Sequence, residues 1–165
     1  MKIMGIDGSS KKTGIALYDG KLKEFMLLDS SRVKEYDDRF PVMVDNIKDQ
    51  IIRLNPDIVY LEDTWEKNQG FNNVATLKKL SYIVGAVRFI CKEKNIPFNL
   101  IFPSEWRRII GMETGKLKRP ELKQLAIDYV STHYGAMVTD DVAEAICIAE
   151  AGYRLNEQLF STEGD

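Results

Sequence analysis

Residues 1–20 read MKIMGIDGSSKKTGIALYDG. An apolar run reaches Asp7, a Gly- and Ser-rich turn follows, and a second apolar run starts near Gly14. This pattern predicts a β-hairpin with a carboxylate at its mouth. The stretch KLKEFMLLD over residues 21–29 reads as a third strand, so the chain is expected to begin with three consecutive antiparallel strands.

Working outward, residues 38–54 carry Phe40, Met43, Val44, Ile47, Ile51 and Leu54 at helical spacing, with Pro41 expected in the first turn and Asn55-Pro56 as the stop. DIVYLED, residues 57–63, has the β-branched and aromatic core of a buried strand ending at Glu62. A polar stretch follows from Trp65 to Asn73. Next come a long helix over about 74–94, a strand within PFNLIFPS and short helices filling 104–132. A last helix is expected over about 141–156, where Val142, Ala145, Ile146, Ala149 and Tyr153 keep helical spacing. Three leading strands followed by alternating helix and strand predict an α/β fold, a mixed sheet flanked by helices. No internal repeat or low-complexity linker interrupts the chain, which reads as one domain over 1–160 with a frayed tail over 161–165.

Four acidic residues, Asp7, Glu62, Asp141 and Glu144, fall where a strand should end or a helix begin. Each has an ordinary explanation. An Asp after a strand makes turns, a Glu at a strand end is commonly solvated, and Asp141 with Glu144 fits a helix N-cap and its N3 partner. Those explanations leave the coincidence of placement unaccounted for. Ligands of α/β sheets sit at the carboxyl ends of strands, and Asp141 and Glu144, three apart, share a helical face. The four acids are therefore expected to build one shared site.

The composition limits what that site can be. An apolar fraction of 44% and a charged fraction of 29% over 165 residues are ordinary for a globular protein. No run approaches a membrane span and no signal-peptide pattern opens the chain, so an intracellular, cytoplasmic protein is expected. Cys91 and Cys147 lie far apart in apolar helical stretches and read as buried reduced thiols. His133 is the only histidine, which argues against a His-built zinc site. Oxygen ligands remain, and they favour magnesium or manganese.

The net charge of −2 conceals a division, because residues 140–165 carry −6 and residues 1–139 carry +4. Within SEWRRIIGMETGKLKRPELK, residues 104–123, Arg107, Arg108, Lys116, Lys118, Arg119 and Lys123 outnumber Glu105, Glu113 and Glu121. Such a segment either sits on phosphates or forms a solvated surface. The long helix is apolar around much of its circumference, with Leu80, Ile83, Val84, Val87, Ile90 and Cys91 joined by Tyr82, Ala86 and Phe89. Its surplus packs either on another helix of the same chain or on a second copy in a two-fold dimer.

GIDGSSKKTGIAL (5–17), DIVYLEDTW (57–65), the Gly-Met then GKLKR loop (111–119) and DDVAEAICIA (140–149), in this order and spacing, resemble the RuvC-type Holliday-junction resolvases of the ribonuclease H-like superfamily, especially their phage-encoded variants. The resemblance spans nearly the whole chain. It implies a five-stranded mixed sheet (three antiparallel strands, then two parallel), a homodimer, for which the apolar surplus of the helix over 74–94 is the expected interface, and Mg²⁺-dependent cutting of four-way or branched DNA to 5′ phosphates. By position, Asp7, Glu62, Asp141 and Glu144 match the family's acidic residues as catalytic groups holding two Mg²⁺ ions, for which Mn²⁺ substitutes. Here the chain departs from the family pattern, whose final acid is more often Asp. Asp140 adds a further carboxylate that either caps the helix or exchanges roles with Asp141. Lys118 resembles the catalytic-loop lysine, with Lys116 or Arg119 as the equivalents if the loop shifts. Trp65 falls where the family carries an aromatic that stacks on bases. Arg107, Arg108, Lys11 and Lys12 join Lys116, Lys118 and Arg119 as expected DNA contacts.

Three other readings stay open. An actin-like ATPase would share the opening hairpin but ordinarily needs two related domains. A related nuclease would act on RNA or other branched DNA, and a non-catalytic protein would bind junctions without cutting. Base stacking on an indole contributes about 1–3 kcal/mol and needs no particular base. Trp65→Ala is accordingly expected to weaken junction opening more than duplex affinity, as measured by binding and 2-aminopurine fluorescence on both substrates; equal loss on the two would contradict a stacking role.

Overall fold

The computed structural model describes residues 1–63 and 74–162. Trp65 and its polar neighbours lie outside the described residues, as does the end of the expected tail. The opening run forms β1 (Ile3–Asp7), β2 (Lys12–Tyr18) and β3 (Leu22–Asp29), paired antiparallel in sequence. Ser9 and Thr13 close the first turn: Ser9 Oγ accepts from the backbone N–H groups of Lys11 and Lys12, and Thr13 Oγ1 accepts from Ser9 N. The pairing sets Asp7 directly across from Gly14.

Helix α1 (Tyr36–Leu54) ends at Asn55, whose left-handed backbone (φ 45°) lets its N–H cap the Ile51 carbonyl. The helix starts two residues before the sequence pattern indicated, which moves Pro41 from the first turn into the helix interior. Strand β4 (Ile58–Glu62) then joins β1 in parallel, and β5 (Phe98–Ile101) joins β4 in parallel, with α2 (Val74–Glu93) between them in sequence. The sheet order is β3-β2-β1-β4-β5, the expected five-stranded mixed sheet. Two short connections lead through α3 (Pro103–Ile109) and α4 (Arg119–Tyr134) to α5 (Asp140–Thr162), which opens one residue earlier than the pattern suggested.

Alternation along the strands divides the core into two layers. Met4, Ile6, Ile15, Leu17, Val59 and Leu61 face α1 and α2, meeting Met43, Ile47, Ile51, Ile83 and Val87. Ile3, Ala16, Tyr60 and Ile101 face α5, α3 and α4, meeting Ile146, Ala149, Trp106 and Val130. Burying an aliphatic side chain of this size contributes about 1.5–3 kcal/mol, so both faces of the central strands are strongly driven inward. Cys91 and Cys147 are buried free thiols, one in each layer. Among the described residues, no helix is long and apolar enough to cross a membrane.

Helix α5 lies unusually close on β1 and β2 because glycines face it. A Cβ on Gly5 would stand 2.3 Å from the Ala145 carbonyl oxygen, and one on Gly14 would stand 1.9 Å from that of Asp141. Neither obstacle is a flexible side chain. Overpacking of this kind costs about 1–3 kcal/mol or more, so Gly5→Ala and Gly14→Ala should each lower the urea midpoint clearly, whereas Gly85→Ala, where nothing among the described residues of the chain lies within 4 Å, should leave the monomer's midpoint unchanged or raised.

Candidate metal centre

Each of the four acids is placed by a different piece of backbone logic. Asp7 ends β1 on the face that carries Ile3 and Gly5, toward α5. The parallel register pairs Ile6 with Leu61, which puts Glu62 beside Asp7 at the carboxyl end of β4, on the face of Tyr60. Opposite Asp7, Gly14 admits the backbone of Asp141, and one helical turn on, Glu144 lies over the strand ends. Asp7, Glu62 and Asp141 are partly exposed and Glu144 is buried, 5% exposed.

The four carboxyls share one electrostatic field. Burial, then the charges of Glu62, Glu144 and Asp141, hold Asp7 well above the ordinary carboxylate range. A hydrogen bond between Asp7 and Glu144 favours the protonated form of the first and the ionised form of the second. Burial and then the Glu144 charge push Glu62 up to about 7, opposed by a hydrogen bond from Trp106 and by Arg107 and Arg119. Glu144 is raised by burial against the pull of Lys123, Asp7 and Arg107. Asp141 is raised by burial and by Asp140, with Lys123 and Lys12 opposing.

Asp140 behaves differently. Its carboxylate pairs with Lys123 Nζ, and that hydrogen bond holds it below the ordinary range. Asp140 is therefore tied to Lys123 of α4, yet its charge still bears on Asp141 and Glu144, while that of Asp141 bears on Asp7. Burial pulls Lys123 down, yet Asp140, Glu144 and Asp7 outweigh it and raise its pKa.

The expected basic residues divide by position. Arg107 turns inward: its guanidinium donates to Glu144 Oε1 at 3.4 Å and lies 4.5 Å from the centre of the Trp106 ring. Lys12 and Arg119 are exposed yet act on Asp141 and Glu62. Lys11, Arg108, Lys116 and Lys118 are exposed. Lys118 N, at the start of α4, donates to Glu121 Oε2 at 2.8 Å and so caps the helix.

Two residues that touch the site escaped the sequence reading. Trp106 is fully buried and donates its indole Nε1–H to Glu62 Oε2 at 2.9 Å. Lys123 had counted only toward the basic excess of its segment. A usable signal existed for the first: a tryptophan one turn after a strand end must bury its ring and still find an acceptor. Lys123 carried no comparable signal, because only the packing of α4 on α5 brings it to Asp140.

Among the described residues, no three carboxyl, imidazole or thiol groups are arranged as a formed metal-ligand set. The chemistry of the donors nevertheless fits a hard divalent cation. They are all carboxyl oxygens, and their mutual repulsion with burial disfavours full ionisation until positive charge enters. The sign for pH follows directly. A carboxyl whose folded pKa lies above its unfolded value binds more protons in the folded state, so its contribution to stability is present at low pH and lost as pH rises. In chelator-treated protein, the stability tied to Glu62 should fall between pH 4.5 and about 7, and Glu62→Gln should flatten that slope in urea titrations across this window.

No family model matches the chain, and no curated protein sequence matches it. Solved structures do. RuvC of T. thermophilus in complex with Holliday junction substrate is similar with a TM-score of 0.75 at 14% identity, covering 96% of each chain. The Fowlpox virus resolvase, solved with its substrate Holliday junction DNA, has a TM-score of 0.61 at 18% identity over 95% of this chain and 99% of that one. The yeast mitochondrial Holliday junction resolvase Ydc2 has a TM-score of 0.54 at 17% identity over 96% and 80%. In strand order, strand polarity and the helices that cover both faces of its sheet, the chain has the ribonuclease H-like fold of the RuvC-type resolvases.

Proposed function

We propose that the protein is a Mg²⁺-dependent endodeoxyribonuclease that resolves four-way and other branched DNA by phosphodiester hydrolysis. One observation carries this reading: carboxyls from β1, β4 and α5 meet in one field at the carboxyl ends of the central strands, and burial first, then the charges of acidic neighbours including Asp140, raise their pKa values. The fold likeness to RuvC and to the Fowlpox virus resolvase, each solved with a Holliday junction, supports the choice of substrate.

Asp7, Glu62, Asp141 and Glu144 would hold the two ions, with Asp140, paired with Lys123, adding its charge beside them. Ions held by these carboxyls would supply a lowered pKa for an attacking water and positive charge at the departing 3′ oxygen, and the products would be a 5′ phosphate and a 3′ hydroxyl. The residues of the chain supply orientation and charge balance. Lys123, Asp7 and Arg107 favour the ionised form of Glu144 against its burial, whereas burial and acidic neighbours favour the protonated form of Asp7, which a bound cation would oppose. Exposed Arg108 near the end of α3, Lys116 and Lys118 on the α3–α4 connection, Arg119 at the start of α4, Lys11 in the first turn and Lys12 at the start of β2 would offer a basic rim to phosphates. Lys118 is assigned to charge developing on the scissile phosphate.

For assembly, the candidate surface is α2, one side of which stays exposed among the described residues. Only Ile83, Val87, Ile90 and Cys91 of α2 are buried, and Val74, Tyr82 and Phe89 are exposed at about 52–63% along its other side. Pairing two copies through this stripe gives a two-fold homodimer, which matches a four-way junction with two opposed strands to cut.

Asp7→Asn should keep the fold and junction affinity while reducing Mg²⁺-dependent strand cutting by at least about 10³-fold, measured on labelled four-way junctions beside fork, flap, duplex and RNA–DNA hybrid. Unimpaired cutting by the variant would remove Asp7 from the chemistry. Tight junction binding by the parent, without cutting at any Mg²⁺ or Mn²⁺ concentration, would reduce the protein to a junction binder.

A further inference from the structure

We propose that Trp106 and Arg107, consecutive residues of α3, form a positioning clamp that spaces Glu62 and Glu144 before a divalent cation arrives. The inference rests on the metal-dependent reading above and extends it to residues that bind neither metal nor phosphate. Helix α3 starts two residues after β5, and Ile101 at the end of β5 pairs with Glu62 at the end of β4. The short helix therefore begins beside the strand end that carries one acid. Its residue 106 reaches that acid, Nε1 to Glu62 Oε2 at 2.9 Å, and its residue 107 reaches the acid on the opposing helix, Glu144 Oε1 at 3.4 Å.

The two contacts are mechanically linked. Trp106 is fully buried, so its ring is locked by packing, and the Arg107 guanidinium rests against that ring at 4.5 Å. Glu62 and Glu144 repel each other, yet each has one oxygen held by a donor from a single rigid turn. Other roles fit less well. An arginine meant only for DNA would point outward, whereas the Arg107 side chain is 11% exposed and already committed to Glu144. An arginine meant only for stability would satisfy its donors, whereas Arg107 Nε is buried with no hydrogen-bond partner among the described residues. Partners that orient a carboxylate from behind typically change metal affinity 10–100-fold when removed.

The test compares Mn²⁺ binding by the full chain, followed by electron paramagnetic resonance, in the parent and in Trp106→Phe, Arg107→Ala and Arg107→Lys. Trp106→Phe and Arg107→Ala should unfold cooperatively and bind Mn²⁺ at least about tenfold more weakly, with Arg107→Lys recovering part of the loss. Charge alone predicts the reverse for Arg107→Ala, since deleting a cation beside an acid cluster favours Mn²⁺; tighter binding would overturn the clamp. In the parent, the Trp106 indole N–H resonance, identified by its loss in Trp106→Phe or by its contact with Glu62, should move on adding Mg²⁺ and stay fixed in Glu62→Gln. Affinities within twofold of the parent, or an indole resonance indifferent to Mg²⁺, would overturn the clamp while leaving the nuclease reading intact. A parent that binds no Mn²⁺ would overturn both. Should Trp106→Phe fail to fold, the arginine pair and the parent's indole resonance decide.

Discussion

The backbone contact between the first turn of α5 and Gly14 of β2 is the constraint on which the site depends. A side chain at position 14 would collide with the Asp141 carbonyl, so glycine there fixes how deeply the helix settles on the sheet. Because Gly14 pairs with Asp7, the same contact fixes the distance between the first acid and the last two. Gly5 repeats the arrangement further along, against Ala145 and Ala149. The small-residue face of α5 is thus the complement of two glycines in two adjacent strands. Stability and site geometry are set by one interface.

That interface forces like charges together. Burial and repulsion raise Asp7, Glu62, Asp141 and Glu144 in pKa, which means the fold carries an electrostatic cost at neutral pH. The protein offsets part of it internally. Trp106 donates to Glu62, Arg107 pairs with Glu144, and Lys123 pairs with Asp140, whose charge bears on Asp141 and Glu144. The remainder is what a divalent cation would relieve, and the incomplete internal balance is the physical link between the sheet topology and the proposed chemistry.

The sequence exposed these features unequally. Strands β1 to β4 were readable because their apolar residues run or alternate without competition from helical periodicity, and α5 because its apolar positions repeat at helical spacing. Pro41 misled the reading of α1, since proline near a helix start usually marks the first turn, and here the helix begins earlier, at Tyr36. The pairing of Asp140 with Lys123 was invisible in advance: the two residues are 17 apart and belong to different helices. Arg107 was legible only as a basic residue and Trp106 was missed, because neither contact with an acid follows any period along the chain. The surplus apolar side of α2 was visible as a pattern, but only the packed chain revealed that Tyr82 and Phe89 stay exposed within it.

Local pattern by itself therefore determined the order of strands and helices, the all-oxygen character of the site and the positions of four acids at element ends. These depend on the alternation of apolar residues and on residue type, which are properties of short segments. The tie of Asp140 to Lys123, the cations that balance the acids and how tightly α5 seats on the sheet were decided by tertiary structure alone. Those outcomes depend on distances between segments remote in sequence, and only packing, through two missing side chains at Gly5 and Gly14, sets such distances.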